Sequence, residues 1–136
     1  MDTIESKFAF VLCLVSLMFL FGLVLKVNKV SAWTLTDPRA VEDYVLYMAH
    51  REGVPAQLAW GIAKCESNFS PTAHNTSDPN GGSRGVFQFQ EKTFYGFAQQ
   101  YGIENPDIWN TAQQVHVAIM MLKNNLAFHW TCSKMV

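Results

Sequence analysis

Four short apolar stripes, each repeating every three or four residues and each closed by glycine, proline or asparagine, limit what this chain can fold into. Ala40, Val41, Tyr44, Val45, Met48 and Ala49 form the first. It starts at the capping residues Thr36 and Asp37 with Pro38 in the first turn, and it stops at Gly53. Leu58, Ala59, Ile62 and Ala63 form the second, from about Pro55 to Ser67. Phe94, Phe97, Ala98 and Tyr101 mark a third helix over Glu91 to Tyr101, with Gly102 as its stop. Asn110 caps a fourth, in which Ala112, Val115, Ile119, Leu122 and Leu126 give the cleanest stripe. Phe128 to Val136 is a tail whose Trp130 and Cys132 fold back on the body. Residues 68–84 turn to Asn, Ser, Thr, Pro and Gly, which reads as a long loop, and Gly85 to Phe89 as an extended or tightly turned return. Strand signals are too few for a sandwich or an α/β sheet, so the expected class is all-α.

The N-terminus stands apart. From Phe8 to Leu25 no residue is charged, and the run lacks the polar face a core helix needs. At roughly 18 residues it meets the lower limit for crossing a bilayer and exceeds the usual secretory apolar region. Val30-Ser31-Ala32 is a small-residue pattern that a signal peptidase cuts, which would leave Trp33 first. Residues 1–32 are therefore expected to form an N-terminal hydrophobic helix serving as a signal peptide or a membrane anchor, and 33–136 the folded domain. Either way the domain is exported, to the periplasm, the exterior or the outer face of an inner membrane.

About a hundred residues remain, enough for one modest core. They carry Arg39, Arg51, Lys64, Arg84, Lys92, Lys123 and Lys134 against nine acids, with no basic patch, which argues against nucleic acid as a partner. Cys65 and Cys132 are the cysteines outside the apolar run, and two cysteines in a small exported domain are expected to pair. His129 and Cys132 lack a second ligand pair at zinc spacing, so no metal or cofactor is expected.

Glu66 is the residue out of place. It follows Leu58 and Ile62 at intervals of four, which puts a carboxyl on the apolar side of a helix at its C-terminal end. Desolvation and the negative end of the helix both favour the protonated form, the condition for a general acid. Beside it lie an amide- and hydroxyl-rich loop and many aromatics, the materials of a sugar-binding groove, although most of the aromatics read as core. No P-loop, zinc-protease helix or serine–histidine arrangement is present.

Glu66-Ser67-x-Phe69, followed about twenty residues on by Gly85-Val86-Phe87-Gln88-Phe89, resembles the signature of lytic transglycosylases with the goose-type-lysozyme-like fold. Leu58-Ala59 and Ile62-Ala63 before the glutamate, and Ser70-Pro71, Ala73 and Asn75 after it, extend the likeness over roughly Tyr44 to Leu126. The resemblance implies a lysozyme-like domain that cleaves peptidoglycan strands between N-acetylmuramic acid and N-acetylglucosamine. Glu66 would protonate the glycosidic oxygen, then as carboxylate deprotonate the muramoyl 6-hydroxyl that closes a 1,6-anhydro ring. Ser67 would help hold glutamate and substrate; Gly85, Phe87, Gln88 and Asn75 would belong to the groove. The late tyrosine that the family often carries is absent: His116 to Met121 and Lys123-Asn124-Asn125 stand there, leaving Tyr95 or Tyr101 as spatial substitutes. Two rival readings use the same residues. One is a lysozyme-type hydrolase with Asp78 as second carboxylate; the other is a catalytically idle wall-binding module.

Overall fold

A computed structural model describes residues 34–136; the apolar segment and its expected helix lie outside the described residues. Among the described residues no helix is long and apolar enough to cross a membrane. Helix α1, Pro38–Glu52, begins where the Asp37 side chain accepts hydrogen bonds from the backbone N–H groups of Arg39 (3.0 Å) and Ala40 (3.1 Å). It ends at Gly53 in the left-handed conformation, φ 71°. Val41, Val45, Met48 and Ala49 are its buried face. Helix α2, Ala56–Ser67, buries Ala59, Gly61, Ile62 and Ala63. Directly after it Asn68 and Phe69 both adopt positive φ (52° and 62°), and the Phe69 N–H reaches back to the Ala63 carbonyl at 3.4 Å. This double left-handed turn reverses the chain one residue after Ser67 and tucks Phe69 under Trp60.

The expected all-α class needs one correction. The segment read as loop and extended return carries a small antiparallel sheet, β1 (His74–Asn75), β2 (Ser83–Arg84) and β3 (Phe89–Gln90), in that order. Asn75 pairs with Ser83, and Ser83 in turn with Gln90. Two-residue strands are too short to show an alternating pattern, so sequence periodicity does not register them. Helix α3, Glu91–Gln100, follows at once and buries Phe94 and Ala98. Helix α4, Thr111–Lys123, is buried around most of its circumference and packs against both α1 and α3. It stops short of Leu126 because Asn124 turns its side chain onto the Met120 carbonyl (2.7 Å) and Asn125 is left-handed.

Sheet and helices are joined through one buried amide. Gln114 on α4 is 1 % exposed. Its Nε2 donates to the carbonyls of Ile108 and Arg84 (3.3 Å for the latter), and its Oε1 accepts from the Phe87 N–H at 3.5 Å. Gly85 makes room for that amide: it sits at φ 72°, and a Cβ there would lie 2.0 Å from Gln114 Nε2. Gly85→Ala should therefore cost roughly 2–5 kcal/mol, from left-handed strain plus overpacking. A denaturant midpoint within error of wild type would refute this account of the glycine.

Candidate active site

Glu66 sits one residue before the C-terminus of α2, half buried. Its pKa is raised, first by desolvation and second by the charge of Asp78; the backbone N–H of Cys132 faces the carboxyl and pulls in the opposite direction. Burial acts as the sequence led us to expect, but the second cause differs, because the fold carries Asp78 to the glutamate.

Asp78 is held from two sides. One carboxylate oxygen accepts from Asn75 Nδ2 at 2.9 Å, and the other from the Ser83 hydroxyl in a short contact. Asn75 Oδ1 also accepts from the Ser77 N–H at 3.1 Å, an Asx turn that shapes the loop around the carboxylate. Asn75 thus acts on Asp78 through its amide. The single hydroxyl proton of Ser83 cannot serve both Asp78 and Gln88 Oε1 (3.2 Å), so the shorter contact leaves that amide oxygen with an open lone pair.

Ser67 and Gln88 secure the backbone beneath the site. The Ser67 hydroxyl donates to the Val86 carbonyl at 2.8 Å, tying the end of α2 to the segment before β3. Gln88 takes a left-handed φ of 47° and donates through Nε2 to the carbonyls of Gly85 (2.9 Å) and Ala73 (3.3 Å). Phe87 beside it is fully buried against Phe89 and Trp130, so its ring presents no surface to a ligand. The close approach at Gly85 is made by Gln114 from inside the protein.

A cavity of about 350 Å³ opens beside these residues. Asp78, Pro79, Gln88, Phe89, Gln90 and Thr93 line it together with His129, Trp130 and Thr131 from the tail. Glu66 does not itself line this space; Asp78, whose charge acts on it, does, and Cys132, whose N–H faces it, follows the lining residue Thr131. The tail wall has no α-helix of its own, only two 3-10 turns, Ala127–His129 and Thr131–Lys134. It is held by the Trp130 indole N–H, which donates to the Phe87 carbonyl at 2.8 Å, and by a disulfide from Cys132 to Cys65, beside Glu66, with a Cα–Cα distance of 6.0 Å. The Val136 side chain lies against Gly61, one turn earlier on α2. Cys132 is thereby withdrawn from any zinc site with His129. Tyr95 and Tyr101 pack on Phe94 and Phe97, and neither lines the cavity. Sequence reading did not assign Thr93, His129, Thr131 or the Trp130 wall to the site; the pairing of Cys65 with Cys132 was the one signal pointing there.

A family model described as the transglycosylase SLT domain matches residues 43–129, more than half of the chain. The chain belongs to that family. It is thus a lysozyme-like domain of a family that acts on peptidoglycan in the cell envelope, and the matched span agrees with the extent over which the motifs resemble it. No curated protein and no solved structure matches the chain.

Two outcomes follow from the geometry. Asp78→Asn should lower the Glu66 pKa yet leave it above the ordinary carboxyl value, because the larger effect, desolvation, remains. Carbon-detected NMR titration of the Glu66 carboxyl reads this directly, and an unmoved midpoint would show that Asp78 does not act on it. Replacing Cys65 and Cys132 together by serine should cost about 4 kcal/mol for a separation of 67 residues. The indole fluorescence of Trp130 should also shift towards that of hydrated tryptophan; a variant that melts earlier with unchanged emission would mean the tail stays docked without its covalent tie.

Proposed function

We propose that the domain is a lytic transglycosylase that cleaves the β-1,4 bond between N-acetylmuramic acid and N-acetylglucosamine, with Glu66 acting first as acid and then as base. The observation that carries the reading is a half-buried glutamate of raised pKa at the edge of a groove in a domain of this family. Protonated Glu66 donates to the leaving glycosidic oxygen. The resulting carboxylate removes the proton of the muramoyl 6-hydroxyl as that oxygen attacks C1, so leaving group and nucleophile are served by one residue. The nucleophile belongs to the sugar, which gives it the advantage of an intramolecular reaction and removes the need to position a water. Ser67 keeps the glutamate's helix end fixed to the Val86 carbonyl, and Gln88 offers the cavity the amide oxygen that Ser83 leaves open. Because the substrate lies outside the cytoplasm, residues 1–32 serve export, as a cleaved signal or as a retained anchor.

One observation favours a second reading. Asp78 lines the cavity and is near enough for its charge to act on Glu66, so a pair of carboxylates flanks the site, the arrangement a hydrolase uses to activate water. The products separate the two. Digestion of purified peptidoglycan should release 1,6-anhydromuropeptides; reducing muramic ends instead would identify the hydrolase, and no release a wall-binding module.

Glu66→Gln should abolish release while leaving the fold intact. It should also be stabilising at neutral pH. A carboxyl whose folded pKa is raised binds its proton more tightly when folded, so its contribution is fully present below the unfolded pKa of about 4.3 and is lost as pH rises through the folded value. Melting temperatures of wild type and Glu66→Gln should converge at acid pH and separate near neutrality, with the variant higher. Wild-type rates in the variant would end the mechanism.

A further inference from the structure

The two cysteines of the bridge differ in exposure. Cys65, in the last turn of α2, is exposed, whereas Cys132 is buried. A disulfide open at one end can be attacked by a thiol from solvent, which one sealed in a core cannot. Beyond Trp130 the tail has few other ties. The Ser133 N–H and hydroxyl both return to the Trp130 carbonyl, at 3.1 Å and 2.7 Å, and the Met135 N–H returns to the Cys132 carbonyl at 3.0 Å. These bonds close the second 3-10 turn on itself and not on the body. Val136 touches Gly61, but Met135 and Val136 are 70 % and 59 % exposed, so that contact buries little apolar surface. Without the bridge, the Trp130 indole bond to the Phe87 carbonyl is the one side-chain hydrogen bond from residues 127–136 to the body, among the described residues. Cys132 thus carries both the covalent tie and the N–H that faces Glu66, and it directly follows Trp130 and Thr131 of the cavity lining.

We propose that the Cys65–Cys132 bridge is a reversible redox switch on cleavage: as thiols, the two residues release the tail wall from α2, and the domain stays inactive until the bridge forms. The proposal rests on the peptidoglycan-cleaving reading above. Switching off takes two thiol–disulfide exchanges. A thiolate attacks the Cys65 sulfur, and the Cys132 sulfur leaves as thiolate and takes up a proton. A second thiolate then displaces Cys65 from the mixed disulfide, so both cysteines end reduced and the reductant ends as its own disulfide. Switching on reverses this. A disulfide oxidant accepts two electrons, and the two cysteine protons pass to the thiols it becomes. The direction suits a wall-cutting domain. A chain made in a reducing compartment carries thiols and is latent, and it is armed where disulfides form, on the side where the wall lies.

The test follows turnover of purified peptidoglycan by wild type through graded dithiothreitol and back through oxidised glutathione. Thiol labelling reads the bridge, and circular dichroism the fold, in the same samples. Activity should fall in step with the reduced fraction, by roughly ten-fold or more when the bridge is fully open, the order expected when a wall of a site loses its position. The helical signal should persist, and reoxidation should restore the rate. Cys65→Ser/Cys132→Ser should match the reduced wild type and ignore dithiothreitol. A smaller loss in folded, fully reduced protein would overturn the proposal. So would a bridge that opens only as the whole domain unfolds, a rate that reoxidation does not restore, or a double variant that still responds to dithiothreitol. If oxidised wild type releases nothing, the cleavage reading fails, and calorimetric binding of glycan strands to oxidised and reduced protein then decides the switch. Equal affinity in the two states would end it.

Discussion

The site depends on a covalent bond placed beside its acid. Cys65 precedes Glu66, and its partner Cys132 follows the Trp130-Thr131 wall of the cavity. Two 3-10 turns could not by themselves keep ten residues of tail in place, since each closes only a few hydrogen bonds. The disulfide fixes the Cα of Cys132 within 6.0 Å of that of Cys65, and the Trp130 indole then finds the Phe87 carbonyl and a pocket between Phe87 and Phe89. One crosslink thus positions a wall, covers part of a carboxyl and brings an N–H to face it. Burial of the glutamate, the larger cause of its raised pKa, is in part a property of the tail.

The opposite wall is organised by polar groups inside the protein. Gln114 reaches from α4 to the Arg84 carbonyl in β2, the Phe87 N–H after it and the Ile108 carbonyl before α4, and Ser67 and Gln88 satisfy three more carbonyls nearby. Burial of Val86, Phe87 and Phe89 anchors the return after β2 but does not by itself fix the direction of the backbone polar groups around it. Directional hydrogen bonds in a low-dielectric interior do, and leaving any of the carbonyls unpaired would be penalised. The result is a hydrogen-bonded bed beneath the side of the cavity that Gln88 and Asp78 line.

That division explains what could be read from the sequence. The start and stop of α1 were legible at Asp37 and Gly53, and the start of α4 at Asn110, because capping is local chemistry. The position of Glu66 was legible because a spacing of four from Ile62 places it regardless of what packs above. The sheet was not, since its two-residue strands owe their pairing to partners rather than to pattern. Neither was the approach of Asp78 to Glu66, which depends on Asn75 and Ser83 closing a loop. Phe87 and Gln88 are neighbours in one motif with opposite fates. The first is wholly buried, and the second is turned towards the cavity by a left-handed φ that nothing in its side chain announces. The motif indicated a candidate segment but not which of its atoms face the cavity.

With two carboxyls at one site, their interaction itself divides the labour. Burial makes ionisation of Glu66 harder, and the charge on Asp78 acts in the same direction. This arrangement serves the first step of either reaction, because both begin with protonation of the leaving oxygen. They part at the second step. Both oxygens of Asp78 already accept hydrogen bonds, from Asn75 and from Ser83, and a water to be activated would have to use the remaining lone pairs. In the proposed mechanism Glu66, once it has given up its proton, faces only the backbone N–H of Cys132. The 6-hydroxyl of the same sugar needs no binding site of its own, and an effective molarity far above that of an ordered water favours its attack. In the proposed mechanism a held Asp78 therefore serves better as a fixed charge that raises the Glu66 pKa than as a second base.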